Sequence, residues 1–153
     1  MANPLYGSNK FDKHPGWLSN TEGVFDHGTL AGGLTLTVDE IMDYVASKCD
    51  PAGARAITVP TAALTVAAIK KRSTDGKCNV GDTFHFTFIN AGTAGVDETC
   101  TMTAGTGGTA VGFMDVENSD TTHDAFSVGS GLFAIRVTNA TSGSEAIDII
   151  RIA

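Results

Sequence analysis

One short stretch of the sequence concentrates the side chains that could bind a metal ion or transfer a proton. Asp115, Glu117, Asp120 and Asp124 surround His123. Carboxylate oxygens are the ligands that Ca²⁺ prefers, but the fixed spacing of an EF-hand loop is absent. The sequence therefore favours a solvated acidic loop here, with a cation site as the alternative.

The other histidines and the serines show no pattern of a hydrolase site. His14, His27 and His85 are dispersed along the chain, as is His123. A catalytic triad can draw its members from distant positions, so a small hydrolase in which His85 or His123 meets a carboxylate stays an alternative. No G-x-S-x-G elbow occurs, since residues 128–131 lack its spacing. We therefore predict no catalytic residue, no cofactor and no metal.

A glycine-rich segment formally fits the relaxed fingerprint of a dinucleotide-binding fold. Gly105-Thr106-Gly107-Gly108-Thr109-Ala110 carries the glycines. A β-branched strand follows this segment instead of the helix whose N-terminus would hold a pyrophosphate. We interpret the segment as a hairpin loop.

The elements that would position these side chains belong to one domain with an appendage. The chain has 153 residues, of which 42% are hydrophobic, and this is enough to bury a core. Glycine occurs 18 times and threonine is abundant in the second half, which favours short strands joined by many turns.

The charge disfavours two classes of partner. The formal net charge is -7, whereas binding to nucleic acid or to an anionic membrane needs clusters of Lys and Arg. The one basic cluster, Lys70-Lys71-Arg72, falls at the end of a predicted helix, and we interpret it as solvated and favourable to the helix dipole. No apolar run approaches the roughly 18 residues of a membrane span.

The cysteines predict a reducing compartment. Cys49, Cys78 and Cys100 are odd in number and form no C-x-x-C pair, so free thiols are expected and a zinc site is not. Whether Cys78 meets Cys100 is left open. The first residues lack a basic region followed by an apolar one, so we expect synthesis in the cytoplasm without a secretory signal.

Residues 1–36 are predicted to form an extended N-terminal arm. Glycine and proline interrupt them every few positions, and they show no sustained period. Their apolar side chains either pack back on their own domain or contact a partner, where aromatic residues are enriched. The candidate contacts are Leu5, Tyr6, Phe11, Trp17, Leu18 and Phe25.

Residues 37–153 are predicted to form a β-rich body with two helices. Thr37 and Glu40 match a capping box, which indicates a helix near 38–48, and Pro60-Thr61 opens a second helix over 62–72. In the segment 82–90, apolar and polar residues alternate, which is typical of a half-buried strand.

The second half continues in the strand pattern. Residues 99–103 and 109–114 are predicted to pair as a hairpin across the glycine-rich segment. Further strands are predicted at 125–128, 132–138 and 146–152. Their spacing predicts a mainly β fold, an antiparallel β-sandwich or jelly-roll-like barrel, with the helices capping one end or face.

Several segments carry a shared pattern of turn and strand residues. The chain opens with Met1-Ala2-Asn3-Pro4-Leu5-Tyr6-Gly7-Ser8-Asn9-Lys10. The body adds Ile57–Ala62, Val80–Phe86, Ile89–Gly92, Ile135–Asn139, Gly143–Ala146 and Arg151–Ile152. In these segments, which cover most of its length, the chain resembles small virion structural proteins of marine tailed bacteriophages, cyanophages in particular. It departs from them at the acidic stretch 115–124.

The resemblance implies a capsid decoration, or cement, protein. Such a protein is a small β-protein on the outer capsid surface, often a trimer, that clamps neighbouring subunits of the major capsid protein. The partner expected is therefore the major capsid protein, with no nucleic acid and no membrane. A head-fibre or tail-associated adhesin that binds a host glycan is the alternative, and a major capsid subunit is disfavoured because 153 residues are few for that role.

Overall fold

The computed structural model describes residues 23–92, 98–118 and 129–153. Its strands are β1 (Val24–Leu30), β2 (Leu34–Thr35), β3 (Ala46–Pro51), β4 (Arg55–Thr58), β5 (Thr83–Asn90), β6 (Cys100–Thr103), β7 (Gly108–Val111), β8 (Asp115–Val116), β9 (Ser130–Asn139) and β10 (Ala146–Arg151). Its helices are α1 (Val38–Asp43) and α2 (Ala62–Arg72).

The chain winds between two sheets. Sheet A has six strands in the order β1-β3-β5-β9-β10-β7, and sheet B has four in the order β2-β4-β6-β8. From β1 to β6 each strand of sheet A is followed by one of sheet B, so three successive turns of chain stack in parallel register. Helices α1 and α2 fill the connections that lead from sheet B back to sheet A.

The later strands complete both sheets with antiparallel pairs. Strand β8 pairs with β6, and β9 pairs with β5 and β10, all antiparallel, whereas β7 lies parallel to β10 at the far edge. The mainly β, sandwich-like prediction is confirmed, but its antiparallel detail is wrong for the stacked turns. A chain that returns to the same sheet by way of the opposite sheet arrives pointing the same way, which makes neighbouring strands parallel.

The core lies between the sheets. Phe84, Phe86 and Phe88 on β5 are buried, while Thr83 and His85 are exposed, as the alternation predicted. Apolar side chains of sheet B and of the residues next to its strands face these phenylalanines. Strands β9 and β10 and helix α2 contribute the rest of the core. Members of this core include Ile57, Met102, Val116, Phe133, Ile135, Ile147, Ile149, Val66 and Ile69.

The first helix is shorter than predicted. The capping box is present, because the Thr37 hydroxyl accepts from the Glu40 N–H and the Glu40 carboxylate accepts from the Thr37 N–H. The helix ends at Asp43, however, and residues predicted helical to Lys48 enter strand β3. Sheet hydrogen bonds from β1 and β5 on both sides of β3 outweigh the local helical spacing there. The second helix, 62–72, has the predicted bounds.

Part of the predicted arm belongs to the sheets. Residues 24–30 form β1 and residues 34–35 form β2, so only residues 1–22 of that segment lie outside the described structure. β1 carries the apolar residues Val24, Phe25 and Leu30, but Gly28 interrupts the period of two that would indicate a strand. The predicted strand 125–128 also lies outside the described residues.

The predicted hairpin of residues 99–114 is wrong. Strand β6 lies in sheet B and β7 lies in sheet A, so the glycine-rich segment crosses between the sheets. The crossing is fixed on α2, because the Ala62 N–H donates to the Thr106 carbonyl at 2.9 Å. Gly105 permits this contact, since a Cβ atom there would lie 2.5 Å from the Val59 carbonyl oxygen. The crossover therefore depends on a backbone approach that sequence spacing does not reveal.

A buried amide joins the carboxyl end of β5 to sheet B. The Asn90 amide nitrogen donates to the carbonyls of Glu98 at 2.5 Å and of Val116 at 2.8 Å. Its amide oxygen accepts from the Gly92 N–H at 2.9 Å. Because Asn90 is 1% exposed, these bonds satisfy polar groups that water does not reach.

Arg72 ties the two helices together. Its guanidinium lies 2.5 Å from an Asp39 carboxylate oxygen and 2.9 Å from an Asp43 oxygen. Burial opposes the charge of Arg72, but the hydrogen bonds that the guanidinium donates to Asp43 and Asp39 outweigh burial and raise its pKa above the ordinary value. The predicted solvated helix end is therefore wrong for Arg72, whose partners lie on the other helix.

Within the described ranges, neither helix has the length and apolar character that crossing a membrane requires.

Candidate functional site

The acidic stretch does not form a metal centre in the part that the structure describes. The Asp115 carboxylate accepts from the Thr101 hydroxyl at 2.6 Å, and the Asp115 carbonyl accepts from Arg151 at 2.8 Å. Asp120, His123 and Asp124 lie outside the described residues. Among residues 23–92, 98–118 and 129–153, no group of three or more His, Cys, Asp or Glu side chains could hold a metal ion.

The two described histidines lie apart from each other. His27, on β1, packs against Phe25 with the two rings tilted and their centroids 4.8 Å apart, and its Nε2 lies 4.0 Å from a Glu40 carboxylate oxygen. That Nε2 is buried and has no hydrogen-bond partner among the residues that the structure describes. His85 is exposed on the outer face of β5. Because Glu40 is already engaged in the helix cap, His27 serves the packing of β1 on α1.

Two buried thiols meet between the sheets. The Sγ atoms of Cys49 on β3 and Cys100 on β6 lie 3.7 Å apart, and both residues are 0% exposed. The hydrogen bond with Cys49, together with burial, raises the pKa of the Cys100 thiol above its ordinary value. Cys78, the partner of Cys100 that the sequence left open, is buried and forms no disulfide. Sequence spacing could not select this pair, because its members lie on different sheets.

Most of the predicted partner contacts lie outside the described residues: Leu5, Tyr6, Phe11, Trp17 and Leu18. Phe25 is described, and it is half-buried on β1. Its ring meets that of Tyr44 edge-on at 5.0 Å, in addition to His27. Phe25 thus packs at least partly on its own domain, and its role as a partner contact stays a prediction.

An apolar sheet edge is the first candidate binding surface. Strand β7 is the outer strand of sheet A, and Val111 at its end is 43% exposed. Phe113 and Ile152 follow at the same end of the sheet and are 65% and 52% exposed. We call β7 together with Phe113 and Ile152 the β7 edge. Exposed apolar side chains grouped in this way are typical of a surface that binds another protein.

The backbone of the β7 edge can accept another strand. The Ile147 N–H donates to the Gly107 carbonyl at 3.1 Å, which fixes the residues of β7 that face β10. Alternation along the strand then directs the N–H and C=O of Ala110 away from the sheet. No Asp, Glu, Lys or Arg occurs between Thr99 and Met114. β7 therefore carries no charged side chain that would oppose pairing with another strand.

The other sheet edges that the structure describes are protected. β1 has a register irregularity between Asp26 and Thr29, and Asp26 pairs with Lys48 at 2.7 Å. The hydrogen bond from Lys48 lowers the pKa of the Asp26 carboxyl, which keeps a charge on that edge. β2 and β8 have two residues each. Bulges, charges and short length are the features by which proteins block unwanted strand pairing. β7 is short, but it carries no charged residue.

A groove at the carboxyl ends of the parallel strands of sheet B is the second candidate surface. β2, β4 and β6 all end there, and the N-termini of both helices border it. Its volume is about 530 Å³. We call it the strand-end groove, and its lining residues are Thr35–Asp39, Thr58–Thr61, Leu64, Gly105 and Thr106. Ligands often bind outside the carboxyl ends of parallel strands, because the connections that follow them diverge there.

The polar groups of the strand-end groove are largely engaged with each other. The Thr61 hydroxyl accepts from the Leu64 N–H at 3.3 Å, and the Thr106 carbonyl accepts from the Ala62 N–H. The glycine-rich segment therefore lies against a helix N-terminus after all, but it presents a carbonyl to that terminus. A carbonyl at this position disfavours a phosphate bound at the same helix N-terminus.

Comparisons of the chain with protein-family models, with curated proteins and with solved structures find no match.

Proposed function

We propose that the protein is a capsid decoration protein that binds the outer surface of a bacteriophage head. The observation that carries the proposal is the β7 edge, an uncharged strand with exposed apolar side chains on an otherwise protected β-body. The sequence resemblance to small virion proteins supports the same function. A β-body with an exposed apolar edge fits a binding role.

The β7 edge explains how such a protein attaches. An extended segment of a shell subunit adds to β7 through backbone hydrogen bonds, and Val111, Phe113 and Ile152 become buried beside it. Burial of one large apolar side chain contributes about 1.5–3 kcal/mol, so this edge supplies a modest affinity for each copy. Many copies on one shell multiply that contribution. Because the decoration protein binds only shell subunits that are already assembled, it stabilises the assembled shell by mass action.

The charge distribution suits attachment to a shell. The net charge of -7 keeps free copies apart, while the uncharged run from Thr99 to Met114 leaves the contact itself without carboxylates to desolvate. Contacts from Leu5, Tyr6, Phe11, Trp17 and Leu18, and a trimer on the shell, remain part of the proposal.

Co-sedimentation with expanded shells that lack the protein tests this function. Wild-type protein should saturate discrete sites on the shell, which imaging of the pellet would locate. Ala110→Pro removes the outward N–H, and Phe113→Ser removes the largest exposed apolar side chain of the β7 edge, so each should weaken binding about ten-fold or more. Val80→Ser, at an exposed apolar residue away from β7, is the matched control and should bind as wild type.

The outcomes separate the two candidate functions. Equal binding by wild type and both edge variants would show that attachment does not use β7. Absence of binding to shells, combined with binding to host cells or glycans, would instead support the adhesin alternative. The exposed ring of Phe113 would then be the first residue to test against sugars, since sugars stack on exposed aromatic rings.

A further inference from the structure

The topology places the start of β1 at the same end of the molecule as the strand-end groove. The parallel strands β2 and β4 end at the groove, and α1 and α2 lead from there into β3 and β5. Strand β1 is parallel to β3 in the same sheet. The chain that precedes Gly23 therefore enters the fold near the groove, independently of any shell-binding function.

The distance between Gly23 and the groove is short. The Gly23 carbonyl accepts from the Val45 N–H at 2.9 Å, just after α1 ends. A helix of six residues is about 9 Å long, so Thr37 in the groove wall lies within roughly 20 Å of Gly23. An extended chain covers that distance in about six residues. Trp17 and Leu18 precede Gly23 by about that number of positions.

The chemistry of the groove suits apolar side chains. Leu36, Val38, Val59 and Pro60 line it, and Leu64 presents a side chain that is 59% exposed. The N-cap hydroxyls on its border are engaged by helix N–H groups, so they do not select a polar ligand. A groove of about 530 Å³ is large enough for an indole ring together with a leucine side chain.

We propose that the strand-end groove binds the N-terminal segment of its own chain, with Trp17 and Leu18 as the anchoring side chains. A short tether gives the anchors an effective concentration of the order of millimolar, so a weak apolar contact is enough to hold them in the same molecule. The contact covers the exposed Leu64 and withdraws the anchors from solvent. Attachment to any external partner through these anchors must first displace them from the groove, which lowers the apparent affinity for that partner.

Intrinsic fluorescence of the full-length protein tests the proposal directly, because Trp17 is the only tryptophan in the chain. Trp17 in the groove should emit at short wavelength and be protected from acrylamide. Leu64→Ser should shift the emission to longer wavelength and remove the protection. Val111→Ser, an equivalent loss of an exposed apolar group outside the groove, should leave both properties unchanged.

Further measurements keep the test decisive. Leu64 is exposed, so its variant should fold, and far-ultraviolet circular dichroism together with the thermal midpoint would establish this. Removal of residues 1–22 should increase the binding of an apolar dye, and Leu64→Ser in that background should reduce the increase. Trp17 emission that is unaffected by Leu64→Ser would overturn the proposal. Protection that disappears on dilution would overturn the assignment to the same chain and point to a second copy.

Discussion

The Sγ atoms of Cys49 and Cys100 lie 3.7 Å apart although the two residues belong to different sheets. From the sequence, a contact between Cys78 and Cys100 was left open, and the pair formed by Cys49 and Cys100 was not predicted. The contact shows that β3 and β6 face each other across the core, as the winding of the chain between the sheets requires. Both thiols are enclosed by apolar neighbours, which makes their protonation state a property of the folded protein.

Stability should fall in alkaline solution because of Cys100. Its pKa is raised in the folded state by the hydrogen bond with Cys49 and by burial, whereas in the unfolded chain it is near 8.5. Below that pH both states hold the proton, and above it only the unfolded state releases it. The free energy of unfolding should therefore decrease by up to about 1.4 kcal/mol per pH unit above pH 8.5.

Urea unfolding between pH 7 and 10.5 measures this decrease. Cys100→Ala should flatten the alkaline slope relative to wild type, whatever its effect at pH 7. Cys78→Ala is the matched control and should keep the slope, since Cys100 is intact. An identical slope in wild type and Cys100→Ala would contradict the prediction.

Asn90→Ala should destabilise the protein by about 3 kcal/mol. The substitution leaves the buried carbonyls of Glu98 and Val116 without their donor, and an unsatisfied buried group costs roughly 1–3 kcal/mol. Chemical denaturation measures the difference. Asn139→Ala, which removes only an exposed bond to the Thr141 N–H, should cost less than about 1 kcal/mol. Equal losses for the two variants would argue against a structural role of the buried amide.

Gly105→Ala should destabilise the crossing between the sheets by about 1–3 kcal/mol. The added Cβ would lie 2.5 Å from the Val59 carbonyl oxygen, so the segment would have to move away from α2. Gly32→Ala is the control, because nothing lies within 4 Å of a Cβ there and its φ is not positive. It should leave the thermal midpoint unchanged or raise it slightly. A Gly105→Ala midpoint equal to that of Gly32→Ala would be inconsistent with the close approach.

Arg72→Met should loosen the contact between the helices. It removes the guanidinium that bridges Asp39 and Asp43, and we expect a loss of about 1–2 kcal/mol that salt partly screens. Lys71→Met removes an exposed charge from the same turn and should change stability by less than about 0.5 kcal/mol. Thermal denaturation at low and high ionic strength measures both variants. If Lys71→Met costs as much as Arg72→Met, the effect is one of net charge and not of the ion pair.

Local patterns in the sequence predicted two kinds of element correctly. These are strands in which apolar and polar residues alternate, and helices whose first turn is capped by a neighbouring side chain. The alternation in residues 82–90 predicted strand β5, and Pro60-Thr61 predicted the start of α2. The capping box at Thr37 predicted where α1 begins but not where it ends. Helix signals at a terminus are local, whereas the end of α1 depends on β1 and β5 pairing with the segment that follows it.

The sequence by itself determined a mainly β chain with two capped helices, an acidic surface and no reactive motif, because period, capping and charge are local properties. Only the tertiary structure decided that the strands alternate between two sheets, that Cys49 meets Cys100, and that β7 is an uncharged outer edge. These relationships join residues far apart in the chain. They depend on which surfaces bury each other, and no short window of sequence contains that information.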